Sequence, residues 1–180
     1  MVKKIFIAVA SIFIFLIVGF FLALEKEDIN AKIENKVLTH EVVLEELKNE
    51  KFVLFILNSQ CQGCNSGIEV IKEDIQFCKT HNINYLIVFD ELINENVDAK
   101  IMDFKQRNDF NEKVFLINPA HYETNISIVA SHRRLKNFLN HFVPKVDKIV
   151  LGYPQYFYFK NGKYKGNSFY EMEINSKKYF

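Results

Sequence analysis

The sequence predicts an α/β domain with a central mixed sheet flanked by helices, preceded by one membrane-spanning helix. Two apolar runs of strand length, residues 51–58 and 84–90, are separated by a stretch with helical periodicity. Asn161-Gly162 stands between two strand-like segments and is a strong hairpin signal. Residues 5–24 carry no charged side chain and are numerous enough for a helix to cross a bilayer.

The apolar N-terminal run predicts a membrane anchor with the domain outside the cytoplasm. Lys3 and Lys4 precede the run and a mostly acidic stretch follows it, so the positive-inside rule leaves the N-terminus in the cytoplasm. A cleaved signal peptide is the alternative, but the run is long for a signal core and ends without a small-residue cleavage pattern. We expect an anchor at residues 1–24, a tether at residues 25–36 and one domain at residues 37–180.

The charge balance argues against a nucleic-acid partner. Beyond residue 24 lie all 22 acidic residues and 21 of the 23 basic ones, which leaves this part with a formal charge of −1. A nearly neutral chain lacks the basic surface that nucleic acids require. Three cysteines in an exported chain fit one reactive pair and one odd thiol better than a disulfide scaffold.

The elements follow from hydrophobic spacing. Strand 51–58 is expected at the centre of the sheet because it is apolar throughout, with strand 84–90 as its parallel neighbour. Residues 171–180 fit either a last strand or a frayed end. The remaining expectations are a short helix after Thr39 with Val42, Val43 and Leu47 on its apolar face, a helix over 61–80 with Ile68, Ile71, Ile75 and Cys78 buried, helices over 97–108 and 131–142 (the latter capped by Ser131), and strands over 114–117, 155–160 and 164–170.

Cys61 and Cys64 form a Cys-x-x-Cys pair where the first strand leads into a helix. A helix beginning near Cys61 would direct free N–H groups and a positive dipole end at that sulfur and stabilise its thiolate, which makes Cys61 the nucleophile. Cys64, one turn further on, can close a disulfide or resolve a mixed disulfide on Cys61. Half of a zinc site has the same spacing, but the sequence contains no second half. We therefore predict a redox pair that needs no cofactor and no metal.

The order of these elements resembles the thioredoxin fold, and the N-terminal run makes the chain similar to membrane-tethered thiol-disulfide oxidoreductases of the TlpA/ResA type. The resemblance covers roughly residues 37–170, through FVLFILNSQCQGC, KVFLINP and LGYPQYFYFKNGKYKG. In this family a cis-proline packs beside the cysteine pair, and Pro154, preceded by Tyr153, falls on its position. The resemblance implies that Tyr153 and Pro154 shield the sulfurs and bind an extended substrate segment. An ordinary trans proline at the start of a strand is the alternative.

The chain departs from the family pattern around the cysteines. Gln60 replaces a common Trp, the dipeptide between the cysteines lacks the usual proline, and Gly67 stands where ResA-like members carry a helix Glu. The first strand also lacks a buried acid. Glu69 and Glu73 are alternative acids on the helix, although charged helix residues are usually solvated. The proton-transfer partner of the pair stays open.

Two further features stand apart from the motif. The segment over residues 119–152 is longer than usual for the family and would serve either partner recognition or surface elaboration. Cys78 lies on the same predicted helix as Cys64 but about 21 Å along its axis, too far for a disulfide. We expect Cys78 to act as a small buried apolar residue.

Together these observations predict a single-pass protein of the cell membrane whose extracytoplasmic domain exchanges disulfides with protein substrates. The resemblance favours a reductant that is re-reduced through a membrane electron carrier. One alternative is a Sco-like copper chaperone, in which two thiolates and a histidine bind Cu(I), although that family has three residues between its cysteines. Another is a non-catalytic interaction module on the same scaffold. The sequence leaves the substrates and the direction of electron flow open.

Overall fold

A six-stranded mixed sheet organises the computed structural model, which describes residues 37–91, 96–118, 122 and 128–180. The strand order is β1-β4-β3-β2-β5-β6. Strands β1, β4, β3 and β2 are parallel to one another, β5 is antiparallel to β2, and β6 is antiparallel to β5. The strands are β1 (Val37–Leu38), β2 (Lys51–Leu57), β3 (Asn84–Phe89), β4 (Phe115–Ile117), β5 (Gln155–Lys160) and β6 (Lys163–Ser168).

The predicted anchor at residues 1–24 and the tether at residues 25–36 lie outside the described residues. Among the residues that the structure describes, no helix has the length and apolar character needed to span a membrane.

Helices cover both faces of the sheet. They are α1 (His40–Glu46), α2 (Gln62–Ser66), α3 (Ile68–Thr80), α4 (Val97–Arg107), α5 (Ile128–Leu139) and α6 (Met172–Tyr179), with a 3₁₀ turn at Val146–Lys148. On one face, alternate β2 residues beginning with Val53 share a core with the apolar sides of α3 and α4. On the other, residues beginning with Phe52 share a core with α1 and α5.

Strand β2 is the central strand that the sequence predicts. It pairs with β3 through Phe52 and Asn84 and with β5 through Phe52 and Phe159. Its residues from Phe52 to Leu57 are all buried, because a strand with helices on both faces has no polar side. The predicted hairpin is also confirmed, with Asn161 and Gly162 in positive-φ conformations between β5 and β6.

Three predicted helix details need correction. The helix predicted over 61–80 is divided into α2 and α3 at Gly67, although the buried stripe from Ile68 to Cys78 is confirmed. Thr39 precedes α1 as predicted, but its side chain makes no capping hydrogen bond. Val42 is exposed, because the short helix turns only Val43 and Leu47 towards the sheet.

The C-terminal half contains two larger differences. Helix α5 begins at Ile128, so Ser131 lies inside the helix and the prediction that it caps the helix is wrong. The described part of this longer segment is not surface elaboration, since Leu135, Phe138 and Leu139 are fully buried. The tail is neither a strand nor a frayed end. It forms α6, whose first amide, at Met172, donates to the buried Asp74 carboxylate over 2.9 Å.

Candidate active site

The cysteine pair lies at the carboxyl edge of the parallel strands, directly after β2. The β2 end is fastened to its neighbour by two hydrogen bonds: the Asp90 amide donates to the Leu57 carbonyl (2.9 Å), and the Asn58 side-chain amide donates to the Asp90 carbonyl (2.8 Å). The Cys61 amide then donates back to the Asn58 carbonyl over 3.2 Å. This tight turn places the first sulfur at the rim of the sheet.

Asn65 fixes the same turn from inside the helix. Its side-chain amide donates to the carbonyls of Ser59 (3.1 Å) and Cys61 (2.9 Å), and its oxygen accepts a hydrogen bond from the Asn108 side chain (3.2 Å). The loop before the first cysteine is thereby tied to the end of α4.

The two sulfurs stand in contrasting surroundings. Cys61 directly precedes α2, is partly exposed, and its thiol donates to the Tyr153 carbonyl over 3.3 Å. Cys64 is fully buried, and burial raises the pKa of its thiol well above the ordinary value, while a hydrogen bond from the Asn58 backbone lowers it and the neighbouring Cys61 adds to the rise. Both thiols are free. An accessible first sulfur and a sheltered second one fit the roles of nucleophile and resolving thiol.

The Tyr153-Pro154 peptide bond is cis, as the resemblance implies, and its loop lies against the pair. A Cβ built on Gly63 would lie 3.0 Å from the Tyr153 carbonyl oxygen, 3.6 Å from the Cys61 sulfur and 3.7 Å from Pro154 Cδ. A side chain at position 63 would therefore require the Tyr153 backbone to shift. The glycine of the motif allows the close approach of Tyr153 and Pro154 to the first sulfur.

A buried ion pair holds the Tyr153 loop from behind. Asp90 and Arg134 are almost fully buried, and the guanidinium donates to Asp90 Oδ1 through Nε (3.0 Å) and a terminal nitrogen. The Tyr153 hydroxyl donates to the other carboxylate oxygen over 2.5 Å. Burial, with the Asp90 charge beside it, raises the pKa of Tyr153. Helix α5 thus reaches the site through Arg134, Asp90 and Tyr153.

Glu91 is a second buried acid at this edge. Its carboxylate accepts a hydrogen bond from the Ser59 amide over 2.5 Å, and only 4% of the residue is exposed. Neither predicted alternative is buried: Glu69 is exposed and pairs with Lys72, and Glu73 is exposed on α3. The buried acid that is hydrogen-bonded to the cysteine loop therefore comes from the end of β3.

Tyr170, between β6 and α6, covers the helix of the cysteines. Its hydroxyl donates to the Gly63 carbonyl over 2.8 Å. A Cβ on Gly67 would lie 2.4 Å from that hydroxyl oxygen, so the glycine at the division between α2 and α3 makes room for the ring. Burial raises the pKa of Tyr170, and the charges of Cys64 and Cys61 add to this. The packing of the Tyr170 ring thus explains why glycine stands at position 67, where ResA-like members carry a Glu.

No group of three metal-binding side chains occurs among the described residues. His40 and His141 stack on each other with ring centroids 3.6 Å apart, and His81 stacks on Phe77. His121 and the His132 side chain lie outside what the structure describes. The histidine that a Sco-like copper site needs is thus not grouped with the cysteines in the described part of the chain.

Sequence reasoning identified Cys61, Cys64, Tyr153 and Pro154, and the structure places all four together. It missed Asp90, Glu91, Arg134 and Tyr170. The two acids had a signal: they directly follow a strand that is parallel to the strand before the cysteines, and the carboxyl ends of parallel strands meet at one edge. Arg134 and Tyr170 had none, because their positions depend on how distant helices and loops pack.

Comparison with known proteins supports the fold. No family model and no curated protein matches the sequence. Among solved structures, the thioredoxin domain of a thiol-disulfide oxidoreductase from Bacteroides vulgatus superposes with a TM-score of 0.51 at 10% identity, covering 76% of this chain and 84% of that one.

Two further structures are more distant. An exposed lipoprotein thioredoxin from Streptococcus pneumoniae gives a TM-score of 0.47 at 15% identity, covering 75% of this chain and 87% of that one. A thioredoxin-family thiol:disulfide interchange protein from Chlorobium tepidum gives 0.46 at 14% identity, covering 69% and 72%. The mixed sheet, its strand order and the superposition on the Bacteroides domain agree with the resemblance: residues 37–180 have a thioredoxin-like fold.

Proposed function

We propose that this protein is a thiol-disulfide oxidoreductase that exchanges disulfides with protein substrates through Cys61 and Cys64. The observation that carries the proposal is the asymmetry of the pair: a partly exposed sulfur immediately before a helix, 3.3 Å from the Tyr153 carbonyl, with a fully buried sulfur one turn behind it. The solved structures with this fold include thiol-disulfide oxidoreductases, which agrees with the proposal.

The exchange follows from the chemistry of the two thiols. The Cys61 thiolate attacks a substrate disulfide, one substrate sulfur leaves as a thiolate, and a mixed disulfide forms. Cys64 then loses its proton and attacks the Cys61 sulfur, which releases the second substrate thiolate and leaves a Cys61–Cys64 disulfide. Two electrons pass from the pair to the substrate, and the reverse sequence oxidises a substrate dithiol.

The backbone beside Pro154 offers a place for an extended substrate segment. The Tyr153 carbonyl oxygen accepts a hydrogen bond from the Cys61 thiol, so this oxygen faces the reacting sulfur. A substrate strand lying along Tyr153 and Pro154 would bring its own disulfide to Cys61. These two residues are therefore assigned to substrate binding in the proposal.

The proposed setting is the outer side of the cell membrane, with residues 5–24 as an uncleaved single-pass anchor. The charge asymmetry around this run supports it. The proposed source of electrons is a membrane carrier that reduces the Cys61–Cys64 disulfide, as in TlpA/ResA-type proteins. In intact cells treated with reductant, a membrane-impermeant maleimide should label Cys61. Labelling that requires lysis would contradict the proposed topology.

Trapping tests the exchange itself. Without the resolving thiol, mixed disulfides on Cys61 cannot be released, so cells that express full-length Cys64→Ala should accumulate higher-mass adducts on non-reducing gels that collapse with reductant. Mass spectrometry of the adducts would name the substrates. Cys61→Ala and the double variant Cys61→Ala/Cys64→Ala serve as controls and should trap nothing. Equal adducts in the double variant, or none with Cys64→Ala, would contradict the proposal.

A further inference from the structure

Asp90 is bonded to both sides of the active site. Its backbone is joined to the side that carries the cysteines: its amide donates to the Leu57 carbonyl (2.9 Å), and its carbonyl accepts from the Asn58 side-chain amide (2.8 Å). Its carboxylate is joined to the other side, where it accepts a hydrogen bond from the Tyr153 hydroxyl over 2.5 Å. One residue thus connects the turn that leads to Cys61 with the loop that faces this sulfur.

Tyr153 is held at both of its ends. Its carbonyl oxygen lies 3.3 Å from the Cys61 sulfur, and its hydroxyl reaches the Asp90 carboxylate. The ring between these ends packs against buried residues of both cores of the sheet. A side chain that is fixed at its tip and along its ring leaves its own backbone little freedom. The separation between this loop and the first sulfur is therefore set from behind.

Arg134 makes this attachment possible in a buried setting. Only 1% of Asp90 and 2% of Arg134 are exposed, and a carboxylate buried this deeply needs an ion pair and hydrogen bonds to offset its desolvation. The guanidinium contacts Asp90 Oδ1, while Oδ2 accepts the Tyr153 hydroxyl. The neighbouring Leu135 and Phe138 are fully buried and anchor α5 in the core. The loop position thus depends on α5.

We propose that Asp90 and Arg134 are positioning residues that act through Tyr153, an inference that rests on the proposed function. They hold the Tyr153 backbone at a fixed separation from Cys61, so that an extended substrate segment can lie along it. A hydrogen bond to a charged carboxylate is stronger than one between neutral groups, which suits this role. Helix α5, within the 119–152 segment, thereby takes part in substrate binding without contacting the substrate.

The test compares two disulfide probes that have the same leaving group. One joins thionitrobenzoate to a cysteine in the middle of a short peptide with blocked ends, and the other joins it to N-acetylcysteine amide. With either probe the Cys61 thiolate attacks the cysteine sulfur, and coloured thionitrobenzoate leaves as the thiolate. The purified full-length chain carries Cys64→Ala, so the mixed disulfide is not resolved. The ratio of the two rates, the peptide advantage, reports binding of the segment because the reacting atoms are identical.

The peptide probe should react faster in the parent. Tyr153→Phe keeps the ring and the ion pair but lacks the hydroxyl, and should reduce the peptide advantage by at least about fivefold. Arg134→Met should cause a similar reduction, and Arg134→Lys, which keeps the charge but not the forked contact, a smaller one. The double variant Arg134→Met/Tyr153→Phe should match Tyr153→Phe alone, because both changes act through one unit. Tyr164→Phe, which removes a hydroxyl bonded to Asn167 over 2.6 Å, is the matched control and should keep the parent's ratio.

An unchanged peptide advantage in folded Tyr153→Phe or Arg134→Met would overturn the inference. A double variant that shows the product of the two single reductions would also overturn it, since independent effects multiply. Equal rates of the two probes in the parent would do the same, because no segment would then be bound along the loop. Circular dichroism checks folding, and Arg134→Lys replaces Arg134→Met if the latter is unfolded. A folded parent that reacts with neither probe would instead contradict the proposed function, so the two failures are distinguishable.

Discussion

The two ends of the α2–α3 segment carry cysteines in opposite situations. At its start, Cys61 is partly exposed and bonded to the Tyr153 carbonyl, with Cys64 directly behind it. Towards its end, Cys78 is fully buried, and burial, with the nearby Asp74 charge, raises the pKa of its thiol to about 12. The residue type is the same at both ends of this segment. The proposed difference in reactivity is therefore assigned to the helix start, the turn after β2 and the loop of Pro154.

The largest effect should come from removing sulfurs at the reactive end. In the purified full-length chain, Cys61→Ala should abolish turnover of a protein disulfide substrate, because no other thiol is exposed among the three. Cys64→Ala should stop after one exchange, since the mixed disulfide is not resolved. Cys78→Ala is the matched control from the other end and should retain the parent rate. Loss of turnover in Cys78→Ala would break the comparison.

Arg134 tests the support behind the reactive end. Arg134→Met removes the guanidinium that pairs with the buried Asp90 carboxylate, so we expect a loss of about 3 to 5 kcal/mol in the free energy of unfolding, measured by urea unfolding with circular dichroism. Arg133→Met, on the neighbouring exposed residue, should change it by less than about 0.5 kcal/mol. Adding Asp90→Asn to Arg134→Met should recover part of the loss. An Arg134→Met variant that is as stable as the parent would contradict the role of the ion pair.

Gly67 tests the division between the two ends. A Cβ there would come within 2.4 Å of the Tyr170 hydroxyl oxygen and 2.8 Å of a ring carbon, so Gly67→Ala should displace the ring and cost about 1 to 3 kcal/mol. In a Tyr170→Ala background the same change should be nearly neutral or stabilising, because alanine favours a helix more than glycine does. Equal costs in both backgrounds would show that the ring is not the reason for the glycine.

Asp74 tests the unreactive end through pH. Burial raises the pKa of this carboxyl in the folded chain, although the Met172 amide hydrogen bond lowers it. A folded-state pKa above the unfolded one means that the folded form binds the proton more tightly. The contribution of Asp74 therefore favours folding below the unfolded pKa and declines as pH rises through the folded pKa. Asp74→Asn should flatten the stability profile in this window, and the exposed neighbour change Glu73→Gln should not.

Sequence reasoning went furthest where patterns are local. The apolar run of β2, the Asn161-Gly162 turn and the spacing of Cys61 and Cys64 each specify structure within a few residues, and the structure confirms them. The tail was missed because α6 has a weak apolar face and is stabilised by a contact with Asp74, far away in sequence. The start of α5 was misplaced because residues before Ser131 also continue the helix.

The site was predicted only in its sulfur and proline components. Arg134, Asp90 and Tyr153 form one unit from three distant parts of the chain, and no spacing rule brings them together. Glu91 directly follows β3, and this place after a parallel strand next to β2 is a signal that the sequence carries. The rest of the site depends on tertiary packing, which decides which loops meet at the carboxyl edge of the sheet.

The central claim is that position, and not residue type, makes Cys61 the reactive thiol. The most direct measurement is the alkylation rate of each cysteine in the reduced, folded, full-length chain, followed by mass spectrometry after quenching at successive times. At neutral pH Cys61 should react at least about a hundredfold faster than Cys64 and Cys78, because a buried thiol with a raised pKa supplies little thiolate. In denaturant the three rates should converge. Cys64 or Cys78 reacting as fast as Cys61 in the folded chain would contradict the account.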